Sequence, residues 1–163
     1  NLYSIGELRG KMATEHGMTL DEFNKLGESE RFTDEEVDAY QKQLGETEDN
    51  FVIEGRLCWH FIPHSFKILL TCDLDEAARR ILNARQSEEG RSDERMYADK
   101  EDAKAQIEER MASDAKRYQT YYGVDYLNPG NYDFVVDTTH IEGANNVANM
   151  ILEELERRGK TAG

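Results

Sequence analysis

Apolar positions along the chain recur with two different spacings, and the switches between them mark the elements. Leu74, Ala77, Ala78, Ile81 and Leu82 stand at i, i+3, i+4, i+7 and i+8, the spacing of one helix face. Ile107, Met111, Tyr118 and Tyr122 form a similar stripe on a longer segment. Three short runs, at 51–53, 66–72 and 134–136, are apolar without polar alternation and predict strands covered on both faces.

Helix starts are legible from a hydroxyl or Asp followed three residues later by Glu, a pairing that satisfies first-turn amides. Ser4 with Glu7, Thr19 with Glu22, Thr33 with Glu36 and Asp73 with Glu76 fit it. Gly17, Gly45 and Gly123 supply stops. The pattern predicts helices over roughly 5–16, 20–27, 34–44, 74–85, 101–122 and 143–158. Strands separated by helices predict a parallel α/β sheet with right-handed crossovers. Residues 86–100 are nearly all polar and interrupt the pattern between two helices.

The 163 residues make one domain, and 20 Lys+Arg against 34 Asp+Glu leave a net charge of −14. Such a surface repels nucleic-acid polymers and anionic membranes, so any phosphate ligand must meet a local arginine cluster. Two cysteines, Cys58 and Cys72, no membrane-length apolar run and no signal-peptide pattern predict a cytoplasmic protein. The chain opens on Asn1 and apolar residues, from which a preceding segment is expected.

Candidate chemistry gathers at arginines. FVIEGR, residues 51–56, ends a strand where open α/β folds bind ligands. There Glu54 can hold water on a nucleotide-bound Mg²⁺, Gly55 admits a close backbone approach and Arg56 can reach a phosphate. Against this stands an ordinary strand end with a surface ion pair. Ser4 and Arg9 open the first helix, whose amino end attracts anions, although an ordinary capped helix has the same appearance. At about 100° per residue, Arg110, Asp114, Arg117 and Tyr121 share one face beside the apolar stripe. A solvated ladder, worth a few tenths of a kcal/mol per pair, is the plainer alternative. Arg79 and Arg85 are left free near the polar interruption, and Thr138 and Thr139 follow the last strand. GELRGK, residues 6–11, has three residues between its glycines and Met12 where a phosphate loop has four and Ser or Thr. His60 and His64 have helical metal-ligand spacing, but Pro63 separates them and no third ligand accompanies them.

Taken in order, S-x-G-E-x-R, EHGMTLDEFNKLGE, FVIEGR, the arginine-bearing helix, ERMASDAKRYQTYYGVDYL and NYDFVVDTT resemble the cytidylate kinase family, in particular its compact archaeal-type branch. The resemblance covers nearly the whole chain. It implies a P-loop nucleoside monophosphate kinase fold: a three-layer α/β/α arrangement around a parallel sheet, with an NMP-binding helical segment near 4–50, a LID near 86–100 and a CORE from the remainder. It also implies transfer of the γ-phosphate of ATP, with Mg²⁺, to CMP or dCMP. Ser4, Arg9, Gly55 and Arg56 would then hold the acceptor phosphate, with Glu54 as the acid near Mg²⁺. Arg110, Asp114 and Arg117 match the family's R-x-x-x-D-x-x-R run, which contacts the cytosine nucleotide, Arg110 also reaching the transferring phosphoryl group. Arg79 and Arg85 would flank the LID and approach ATP, while Asp137, Thr138 and Thr139, from their place after the last strand, could touch a nucleotide base or simply cap a loop.

Relatives begin with a strand, a G-x-x-x-x-G-K-[ST] loop and a helix, and these 163 residues contain no such loop. The expectation is a monomeric pyrimidine nucleoside monophosphate kinase in the parent protein. Two alternatives stand beside it: a non-catalytic nucleotide-binding or regulatory module, and a kinase of the same fold with another small-molecule acceptor.

Overall fold

The computed structural model describes residues 1–86 and 97–159, with the side chains of residues 85 and 86 left aside. Its elements are β1 (Leu2–Ser4), α1 (Ile5–Glu15), α2 (Leu20–Leu26), α3 (Phe32–Thr47), β2 (Val52–Glu54), α4 (Cys58–Phe61) and β3 (Ile68–Thr71). There follow α5 (Leu74–Gln86), α6 (Lys100–Tyr122), β4 (Phe134–Asp137) and α7 (Ala144–Arg157). Both strand pairings are parallel. β1 pairs β2 with Ser4 opposite Glu54, and β3 pairs β4 with Thr71 opposite Asp137. The expected mixed α/β class with parallel strands is therefore present, as two separate two-stranded ladders among the described residues.

The capping signals act at three of the four places. Ser4 Oγ accepts from the Glu7 amide at 3.2 Å, and Thr19 and Glu22 form a reciprocal capping box. Asp73 Oδ1 accepts from the amides of Asp75 and Glu76. The fourth pairing fails, because α3 begins at Phe32 and Thr33 lies inside it, buried, with its hydroxyl donating to the Glu30 carbonyl at 3.0 Å. Gly45 likewise does not end α3, which runs on to Thr47. A Cβ at Gly45 would meet Ile62 at 3.0 Å, so close packing against Ile62 accounts for that glycine. Gly17 and Gly123 do adopt the left-handed conformation that closes a helix.

One core cluster joins Ile5, Met12 and Ala13 of α1 to Phe23, Val37 and Cys58. A second, aromatic cluster centres on Leu57, Tyr118 and Tyr126, with Trp59, Phe61 and Tyr122 against it. Together they lock α1, α2, α3, α4 and α6 into a block above the β1–β2 ladder. The expectation of strands covered on both faces is not met, since Val52 is 65% and Leu70 52% exposed. Short apolar runs carry no signal that separates these arrangements. No described helix is long and apolar enough to cross a membrane.

Candidate functional site

The long helix α6 buries part of the charged face beside its apolar stripe, together with Tyr118 of that stripe. Ile107 and Met111 are only half-buried, whereas Asp114 is 3% and Arg117 2% exposed. A buried guanidinium needs nearby carboxylates, because desolvating an isolated charge costs far more than packing returns. Arg117 Nη2 donates to Asp114 Oδ1 at 2.8 Å, Nη1 donates to the Asn24 carbonyl at 3.3 Å, and Nε lies 3.4 Å from Asp34 Oδ2. The solvated ladder is thus excluded for the Asp114–Arg117 pair.

Arg9 reaches the same place from α1. Its Nη1 donates to Asp34 Oδ1 at 3.0 Å and to the Thr33 carbonyl at 2.9 Å, and its Nε donates to Asn24 Oδ1 at 2.6 Å. Arg56, just beyond β2, places Nη1 2.9 Å from Asp114 Oδ2 and 3.3 Å from the Tyr126 hydroxyl, with its guanidinium over the Tyr126 ring. Arg9, Arg56 and Arg117 therefore converge, strung as Arg9–Asp34–Arg117–Asp114–Arg56. Three guanidiniums on two carboxylates leave one positive charge in excess in this network. Arg56 is the open end, its side chain 35% exposed.

The electrostatic consequences follow from burial. Arg9 is pulled below the ordinary arginine value, first by desolvation and then by the neighbouring Arg117 charge. Tyr118 is pushed up to about 12 by burial and then by Asp114. Asp38, one turn along α3 from Asp34, is raised chiefly by burial, partly offset by the hydrogen bond it accepts from the Tyr122 hydroxyl at 2.6 Å. Gly27 is required here by space, since a Cβ would stand 2.9 Å from Thr33 Oγ1, 3.0 Å from Arg9 Nη2 and 3.2 Å from Arg117 Cδ. The loop between α2 and α3 is thereby pressed against α6. Tyr121 donates to the Gly27 carbonyl at 2.9 Å, and Glu28 accepts from Ser113 and Lys116 at 2.9 and 2.7 Å.

At the end of the β1–β2 ladder, the Ser4 hydroxyl donates to the Glu54 carboxylate while it also caps α1. Glu54 is exposed. A Cβ at Gly55 would meet Cys58 Sγ at 2.6 Å and Ile5 Cβ at 2.9 Å, so this glycine is what lets the β2–α4 connection close onto α1. Arg110 stands one turn before Asp114 on α6, half-buried.

The remaining candidates lie elsewhere. Arg79 is exposed and grips Glu76 through two 2.7 Å hydrogen bonds, on a cleft of about 1020 Å³ that Thr138 and Thr139 also line. Sequence pattern missed Arg80, which donates to the Thr138 carbonyl at 2.6 Å and its hydroxyl at 3.2 Å. Thr139 accepts from the Asp73 amide at 2.9 Å and ties the ends of β3 and β4 together. The Arg85 side chain and residues 87–96 of the expected LID lie outside the described residues. Cys58 is an inert core thiol, pushed up to about 12 by burial. No group of three or more His, Cys, Asp or Glu suited to a metal occurs among the described residues.

Also missed were Asp34 and Asn24, the acid and amide that organise the arginines. Asp34 sits in the first turn of a helix, where an acid is ordinarily explained by the helix dipole alone. Its partners are 25 and 83 positions away in sequence.

The chain that carries this geometry is similar to other proteins over most of its length. The 32% identity to the cytidylate kinase of Methanoregula boonei extends over 161 residues, 98% of this chain and 82% of that protein. The cytidylate kinase of Methanosarcina acetivorans is 34% identical over 140 residues, 84% of this chain and 72% of that protein. An S-adenosylmethionine-dependent nucleotide dehydratase of Lacinutrix mariniflava is 34% identical over 155 residues, which are 94% of this chain but only 30% of that longer protein. The model of the cytidylate kinase-like family matches residues 4–140, a span that contains every member of the arginine network, and the chain belongs to that family.

Proposed function

We propose that this chain carries the acceptor half of a P-loop nucleoside monophosphate kinase that transfers the γ-phosphate of ATP to CMP or dCMP. What supports the reading is one observation: Arg9, Arg56 and Arg117 from three separate elements meet around Asp34 and Asp114 in a chain of net charge −14. A phosphate monoester has little reason to approach such a protein except at a local excess of guanidinium charge.

In this reading Arg56, at the open end, meets the acceptor phosphate with charge-assisted hydrogen bonds. Arg9 and Arg117 stand behind it and fix the field, while Arg110, Asp114 and Arg117 orient the cytosine nucleotide. Residues near 4–50 would form the NMP-binding segment. Glu54, exposed beside Ser4, suits a hydrated Mg²⁺, an ion that keeps several waters and takes one or two carboxylates. When bound, Mg²⁺ neutralises phosphate charge. Arg79, Arg85, Thr138 and Thr139 would face ATP. Positioning and electrostatic stabilisation are what phosphoryl transfer asks of a protein, and the arginine network is suited to both.

The test incubates the product of the complete reading frame with ATP, Mg²⁺ and CMP and follows ADP. CMP-dependent ADP formation is expected, and no turnover with CMP, dCMP or UMP would reject the proposal. The dehydratase relative, in which the matching segment is 30% of the chain, favours one second reading: a nucleotide-binding module within a longer enzyme. CMP binding without ADP formation would select it.

A further inference from the structure

Among the described residues, Asp34 is the one carboxylate that touches both of the most buried arginines, Arg9 and Arg117. It receives Arg9 from α1 on Oδ1 at 3.0 Å and faces Arg117 from α6 on Oδ2 at 3.4 Å, and it is itself 5% exposed. The Thr33 hydroxyl, 3.3 Å from Oδ2, and the Thr33 carbonyl, which accepts from Arg9, extend the contact along the first turn of α3. Without Asp34 two guanidiniums would face each other in a desolvated space, where burial first and the Arg117 charge second hold Arg9 below the ordinary arginine value. A carboxylate placed between two cations does more than neutralise them. The hydrogen bond from Arg9 Nη1 aligns that fork on Oδ1, while Arg117 Nε, which makes no hydrogen bond of its own, is held near Oδ2 by charge, so the shared carboxylate couples the two cations.

We propose that Asp34 is the positioning residue of the acceptor site, holding Arg9 and Arg117 as a single rigid unit toward the nucleoside monophosphate. The inference rests on the acceptor-site reading above and adds to it a residue that acts through others. Asp34 touches neither nucleotide. It acts on acceptor affinity, because it aligns the cationic face on the acceptor side, and it leaves ATP affinity alone.

The experiment compares the full-length wild-type protein with Asp34→Asn, which keeps the shape and removes the charge. KM for CMP, KM for ATP and kcat are measured together, with circular dichroism as the check on folding. The expected result is a KM for CMP raised at least tenfold, with KM for ATP within twofold of wild type. An unchanged KM for CMP in a folded variant overturns the inference and leaves the kinase reading standing. Proportionate changes in both KM values also overturn it, since that is the signature of general structural support. A wild-type protein that neither binds nor phosphorylates CMP overturns the kinase reading, and the inference falls with it.

Should Asp34→Asn not fold, the wild-type protein answers by NMR of its arginine Nε–H groups. A rigid pair requires the Arg9 and Arg117 signals to move together on CMP titration, with one common midpoint. Movement of one signal alone, or of neither, overturns the proposal.

Discussion

Arg117→Met removes the most buried charge among the described residues while filling much of its space. Arg117 bonds Asp114 at 2.8 Å and the Asn24 carbonyl at 3.3 Å, and faces Asp34 at 3.4 Å. After the substitution Asp114 keeps Arg56 and Asp34 keeps Arg9, so each carboxylate loses one of two cations. Stripping a buried ion of its partner costs about 3–5 kcal/mol. Losing one hydrogen bond to a charged group costs about 1.5–3 kcal/mol. Two half-compensated carboxylates place the expected loss near 3 kcal/mol, roughly where those ranges meet. A domain of this size has about 5–15 kcal/mol in total, and each kcal/mol moves Tm by about 2–4 °C, so Tm should fall by roughly 6–12 °C. Urea titration should show a lower midpoint at unchanged slope. Lys116→Met is the internal control. Lys116 bonds Glu28 at 2.7 Å, but its side chain is 66% exposed, and an exposed pair contributes about 0–1 kcal/mol. A loss below about 1 kcal/mol for Arg117→Met, equal to that of the control, would refute the argument that the network is desolvated and integral to the fold.

Arg56→Ala should weaken CMP binding roughly tenfold to hundredfold by calorimetry, the loss of one charge-assisted partner. Unchanged affinity would remove Arg56 from the acceptor site. Gly27→Ala should destabilise by about 1–3 kcal/mol in thermal unfolding, because the new methyl overlaps Thr33, Arg9 and Arg117 at once. Glu28 is held down at about 2, against an ordinary 4.5, by hydrogen bonds from Lys116, Lys25 and Ser113. Its contribution to stability is therefore complete above pH 4.5 and is lost as pH falls toward 2. Glu28→Gln should flatten the stability profile across that interval, and an identical acid limb in both proteins would show that the clamp on α6 carries no linkage.

The elements were largely legible because helix starts and apolar periodicity are local properties. Ser4, Thr19 and Asp73 cap where their sequence context places them, and Gly123 stops α6. Thr33 misled because its hydroxyl and carbonyl serve the arginine network, a demand that comes from α1. Gly45 misled because its small size answers to Ile62 across a helix contact. Arg9, Arg56 and Arg117 could be picked out as candidates, but not Asp34 or Asn24, which pair with them over long stretches of chain. The burial of Asp114 and Arg117 was equally hidden, since a charged face on a helix ordinarily reads as solvated.

The two strand ladders carry a consequence for how the molecules behave in concentrated solution. Among the described residues, Val52 of the first ladder and Leu70 of the second are exposed. Exposed apolar side chains favour contact between molecules. At neutral pH the charge of −14 keeps neighbours from close encounter, a colloidal guard that is independent of folding. Added electrolyte shortens its reach to about 8 Å at physiological strength, and acidification toward pH 4.7 abolishes it. Precipitation near that pH should therefore set in while the arginine network is still intact, with clumping preceding denaturation.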